Sequence, residues 1–274
     1  MPPDQSLSAA IAGCLALSDP WRKSAAARDL RRAFEARPQW DWGDTRAPDR
    51  PGRPARPPLL APRDLPKRRI SAAPEGRIAL LHALAHIELN AVDLSLDLAL
   101  RFAAEAPLTP GERRRFLDDW LSVADDEAKH FLLLSGRIEA LGAAYGDLPA
   151  HDGLWRTAEA TADDLLARLA VVPMVLEARG LDVTPGMIQR LQAAGDAESA
   201  AALEVIYEDE IGHVSIGRRW FQELAGRQGL DPLTTWQALV RRHAPGALKP
   251  PFNDAARHEA GLTADYYAHF STSE

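Results

Sequence analysis

Cysteine is almost absent. Cys14 is the only one in 274 residues, so neither an internal disulfide nor a thiolate-built metal cluster can form. No apolar run approaches the roughly 18 residues that suggest a membrane span. Alternating strand patterns are nearly missing too, as is any Gly-rich unit for a nucleotide or flavin cofactor. Positive charge is in deficit, with a formal net charge of −7, which argues against general nucleic-acid affinity. Ile11-Ala12-Gly13-Cys14 has the outline of a lipoprotein cleavage box. However, Asp4 precedes it, no Lys or Arg does, and the stretch before it is too short and polar for a signal peptide. A cytoplasmic location is therefore expected.

What is present is Ala, Leu, Glu and Arg at helical period over long segments, which predicts an all-α fold. A first helix is expected over about residues 5–17. A second opens with Asp19 as N-cap and Pro20 at the first helical position, and stops before Pro38. Residues 1–45 thus read as an N-terminal helical extension. Residues 46–69 hold seven prolines, eight Lys or Arg and two acids, so they should run extended, mostly as polyproline II. Their net charge of +6, against −13 elsewhere, leaves a nucleic acid or other anionic partner open. The favoured reading is a segment that wraps an acidic helical body, held by its charge and by Leu59, Leu60 and Leu65. Long helices are then expected near 73–105, 113–142, 156–179 and 198–226, with Thr184-Pro185 opening a short extra helix. Such lengths suit a four-helix bundle over residues 70–230, followed by an irregular tail, 231–274, with a short terminal helix.

Each of the four long helices places one Glu in its apolar stripe. Glu88 lies among Leu81, Leu84, Ala85 and Val92, while His86, Asn90, Asp93 and Asp97 project from the opposite face. Glu127 is followed by His130, Glu177 comes one turn after Pro173, and Glu210 is followed by His213. The order Glu88, Glu127-x-x-His130, Glu177, Glu210-x-x-His213 is one pattern used twice. A spacing of three puts carboxylate and imidazole on one helical face, able to reach one ion. Carboxylate-bridged di-iron bundles use this ligand set, a Glu from each of two helices and Glu-x-x-His from the other two. Four carboxylates and two neutral imidazoles offset two divalent cations; iron, manganese or a mixed pair all suit such donors. Eight His and sixteen Glu predict about half a chance match to Glu-x-x-His. The weight therefore comes from the doubled order and from each Glu being in phase with its own stripe.

Other polar residues carry less. Tyr207, one turn before Glu210, is a candidate for a supporting contact to the site, against ordinary interhelical packing. Pro173 should kink the third helix. His82 and His86 point away from the stripe. Asp118, Asp119, Asp125, Asp126 and Lys129 read as a solvated outer face. Trp120, Trp155, Trp220 and Trp236 read as packing.

The stretches HALAHIELNAVDLSLDLALRF, DDWLSVADDEAKHFLLLSGRIEALG, RLAVVPMVLEARGLDVTPGMI and IYEDEIGHVSIGRRWF closely resemble the bacterial ferritin-like family catalogued as domain of unknown function 455. The resemblance is dense over about residues 70–225. It implies a ferritin-like bundle and a metal role for Glu88, Glu127, His130, Glu177, Glu210 and His213, but no reaction. The expected activity is that of a di-iron oxidoreductase activating dioxygen or peroxide for a small-molecule substrate. With no cysteine cluster or nucleotide-binding unit in the chain, electrons would come from an external donor or from the substrate. Two alternatives stand beside it: metal handling, as oxidation, storage or delivery of iron, and a non-catalytic structural bundle.

Overall fold

The computed structural model describes residues 5–65, 71, 73–104 and 106–271. The described residues are helical apart from loops and one isolated bridge between Leu59 and Ala150. The chain divides into two compact units, Met1–Trp155 and Arg156–Glu274.

In the first unit, α1 (Leu7–Ala16) is capped by Ser6. Helix α2 (Pro20–Ala36) starts as its residues predict: the Asp19 side chain accepts the Arg22 amide at 2.8 Å and Pro20 leads the first turn. Helix α3 covers Pro74–Phe102. Helix α4 covers Pro110–Ala140 and begins three residues earlier than expected, because Thr109 and Glu112 form a reciprocal capping box.

Helix α4 packs along α3, while α1 and α2 also lie against α3. As a result α3 has no solvated face over residues 88–100: Asn90, Asp93 and Asp97, expected opposite the core stripe, are fully buried. Its length and composition would suffice to cross a membrane, but most of it is buried within the protein. The hidden acids are paired. Lys23 Nζ meets Asp93 Oδ1 at 2.5 Å, Arg53 reaches the other Asp93 oxygen at 3.2 Å, and Arg101 donates to Asp97 at 2.6 Å. The outer acids of α4 are likewise engaged, Asp118 by Arg31 at 2.7 Å and Asp125 by Arg28 at 2.9 Å.

Residues 46–61 run without helix, as their prolines require, and a single 3-10 turn follows at Pro62–Asp64; residues 66–69 lie outside the described residues. Backbone bonds fix this strap at both ends, Gly52 to Leu15 at 2.7 Å and Leu60 to Ala150 at 2.8 Å. Charge holds it as expected, but two of the three leucines do not: Leu59 and Leu60 are more than 40% exposed, whereas Leu65 is half-buried. The strap's grip is polar because the face of α3 beneath it offers carboxylates and an amide.

Where one helix was expected over 156–179, the chain forms α5 (Gly153–Glu159), α6 (Leu165–Val171) and a π turn (Val172–Glu177). The Thr161 hydroxyl turns back to the Thr157 carbonyl at 2.8 Å as α5 ends, and Asp164 caps a new helix at the Ala167 amide. Pro173 cannot donate to the preceding turn. The kink it was expected to cause takes the form of the wider turn.

In the second unit, α7 (Ala178–Ala193) runs straight through Pro185, so Thr184 opens no separate helix. The proline leaves the Leu181 carbonyl without its helical donor, and the Asn253 side-chain amide takes that place at 3.1 Å. Helix α8 (Ala197–Arg227) follows, capped by Asp196. The tail is helical rather than irregular, with α9 (Pro232–His243), α10 (Asp254–Glu259) and α11 (Ala264–Tyr267). Pro232 begins α9 behind an Asp231 cap instead of breaking the chain. Arg257, itself buried, clamps α10 to α7 through Asp182 at 2.7 Å and lies over the rings of Phe252 and Tyr267. All four tryptophans assigned to packing are buried.

Candidate metal centre

Glu88 sits midway along α3, and Glu127 and His130 midway along α4, on the faces where these two helices pack. All three are buried; Glu127 and His130 have no exposure at all. His130 Nδ1 lies 3.2 Å from Glu88 Oε2 and 3.5 Å from Glu127 Oε2. One ligand atom from each of the three falls within 4.8 Å of the others. The i, i+3 spacing predicted that Glu127 and His130 would share a face; the packing of α3 adds the second carboxylate.

Two carboxylates this close in a buried region are electrostatically costly. Burial first, and then the charge of Glu127, push the Glu88 carboxyl well above the ordinary carboxylate range, with His130 acting in the opposite sense. A divalent cation among the three would offset that cost. Two carboxylate oxygens and one imidazole nitrogen are a donor set that iron or manganese accepts, so the residues present fit such an ion.

In the second unit, Glu210 and His213 are buried on α8, with His213 Nδ1 3.7 Å from Glu210 Oε2. The motif thus repeats in geometry as well as in sequence, since the corresponding distance in α4 is 3.5 Å. Glu177 ends the π turn and is partly exposed. One turn beyond His213, Gly217 lets α8 approach that π turn: a Cβ at Gly217 would fall 2.3 Å from the Pro173 ring. The hydroxyl of Tyr207 accepts the Asn253 side-chain amide at 3.0 Å, which ties α8 to the start of α10.

His82 and His86 do point away from the carboxylate face, and both are buried. They hold the loop after α4. The Gly146 amide donates to His82 Nε2 at 2.9 Å, and His86 Nδ1 pairs with the Tyr145 hydroxyl at 2.8 Å. Burial brings the His86 imidazole down to about 3, so it is neutral at physiological pH. Tyr145 had no periodic signal in the sequence, because it lies in a loop.

An uncharacterized protein of Haemophilus influenzae is 45% identical over 210 residues, covering 77% of this chain and 73% of that protein. No solved structure matches. The family model described as "Protein of unknown function (DUF455)" matches residues 16–268, and the chain belongs to that family.

Proposed function

We propose that the protein is a di-iron carboxylate oxidoreductase on a ferritin-like four-helix bundle, the four helices being α3, α4, α6 with its π turn, and α8. The observation that carries the reading is the buried cluster of Glu88, Glu127 and His130. It is reinforced by the second Glu-x-x-His, in which imidazole and carboxylate keep nearly the same distance. Glu88, Glu127 and His130 form one half of the ligand set, and Glu177, Glu210 and His213 the other. In both motifs Nδ1 is the ring nitrogen turned toward the carboxylate, so His130 and His213 would help hold an ion from that side. Bound iron would supply redox chemistry and activation of dioxygen or peroxide. The chain's own part is to hold the ligands in fixed positions and, by burying all of them but Glu177, to limit access of bulk water. The substrate is a small molecule, and electrons arrive from outside the chain, because Cys14 is its only cysteine.

The test is anaerobic metal analysis followed by oxygen uptake of the reduced protein. Two ions per chain are expected, lost in the Glu127→Ala, Glu210→Ala double variant while helix content by circular dichroism stays the same. A site that can be re-reduced through repeated cycles supports the oxidoreductase; iron accumulating well beyond two per chain supports storage instead. Retention of both ions by the double variant, or oxygen uptake no faster than that of free ferrous ion, overturns the reading.

A further inference from the structure

A second site lies in the first unit, away from the carboxylates. Leu117, in its wall, precedes Glu127 by ten residues on α4, which at the helical rise is about 15 Å. The cleft has a volume of about 360 Å³, within the range of small-molecule pockets. Its walls are Phe34, Trp40, Trp42 and Leu117, with Arg113 and Arg114 at the first turns of α4.

The walls are fixed in advance. The Leu7 and Ser8 amides donate to the carbonyls of Asp41 and Trp42 at 2.8 and 2.9 Å, which pins the segment carrying both tryptophans. Arg114 is fully committed: it donates to the Arg37 and Pro38 carbonyls at 3.1 and 2.9 Å and covers the Phe34 ring. Arg113 differs. No carboxylate or carbonyl among the described residues receives its guanidinium, and its Nε is buried without an acceptor. The Trp40 indole N–H is in the same condition. Arginine and indole are donors only, and no acidic side chain lines the cleft. A carboxylate in the cleft would give the guanidinium of Arg113 the charged partner that the lining residues do not supply. Aromatic walls add to this by burying an apolar body.

We propose that this cleft binds a small carboxylate with a planar apolar body, its ring held against Trp40 and Trp42 and its carboxylate on Arg113. The site is independent of the metal reading, since none of its residues is a ligand.

Naphthalene-2-carboxylate and its neutral counterpart naphthalene-2-carboxamide are suitable probes, measured by titration calorimetry on the full chain. Saturable one-to-one binding of the carboxylate is expected, at least about tenfold tighter than that of the amide, because a charge-assisted pair with Arg is lost. Arg113→Gln should weaken the carboxylate at least about tenfold and leave the amide nearly unchanged, with metal content as in the wild type. Trp40→Ala, which removes an aromatic wall, should weaken both probes by a similar factor. Equal binding of the two probes, wild-type affinity in Arg113→Gln, or no saturable binding at millimolar probe overturns the proposal.

Discussion

Two glycines of α8, five residues apart, should respond to the same substitution with opposite signs. At Gly217 an added Cβ would lie 2.3 Å from both Cβ and Cγ of Pro173. Carbon atoms in contact settle at about 3.5–4.0 Å, so a rigid, buried ring or the helix itself must move by more than about 1 Å. Overpacking of this kind costs about 1–3 kcal/mol. The better helix propensity of alanine returns about 0.8–1.0 kcal/mol. Because a proline ring cannot rotate aside, Gly217→Ala should lose about 1–2 kcal/mol net. At Gly212 nothing lies within 4 Å of the added methyl, so Gly212→Ala keeps only the propensity gain and should be stabilised by about 0.5–1 kcal/mol. Urea unfolding followed by circular dichroism, in the presence of a chelator so that metal linkage does not enter, measures both. Shifts of the same sign in the two variants would refute the packing argument. If Gly217→Ala also weakens metal retention, the displaced π turn bearing Glu177 is the route.

Burial pushes the Cys14 thiol up to about 12 from its ordinary value of 9.0. The folded state therefore keeps a proton that the unfolded state releases, and this contribution to stability is complete below pH 9 and lost as pH rises toward 12; the advantage of wild type over Cys14→Ala should shrink between pH 8 and 11 in denaturant titrations, and iodoacetamide should leave Cys14 unmodified in the native protein at pH 8. Lys23→Met leaves buried Asp93 with Arg53 alone at 3.2 Å and should cost about 2–3 kcal/mol, somewhat below the usual loss for breaking a buried pair. Adding Asp93→Leu should restore most of that loss; a double variant as unstable as the single one would count against the assignment.

What could be read from the sequence was local. Asp19-Pro20 and the spacing of Glu127 to His130 act within one turn, and both appear as expected. Pro173 was recognisable as a disturbance, but the π turn it takes part in was not, because one added residue per turn barely alters an apolar period. Pro185 read as a helix start because its compensating donor, Asn253, stands far along the chain. The polar face of α3 read only as the side opposite the core stripe, and its burial was hidden for the same reason: Lys23 and Arg53, which satisfy Asp93, belong to other segments. The cleft around Arg113 left no trace, since its walls come from α2, the loop after it and the start of α4.

The strap carries Arg50-Pro51 and Arg53-Pro54, two arginines three residues apart. A proline restricts the residue before it to extended conformations, and three residues complete one turn of a polyproline helix. Both guanidiniums are thus biased toward one edge before any contact forms, and in the folded protein Arg50 meets Asp152 while Arg53 meets Asp93. The denatured chain here has few conformations to surrender. Docking a segment gripped largely by charge becomes feasible because its disorder was already small, and replacing the half-buried Pro54 by alanine should loosen the strap while leaving both arginine pairs in place.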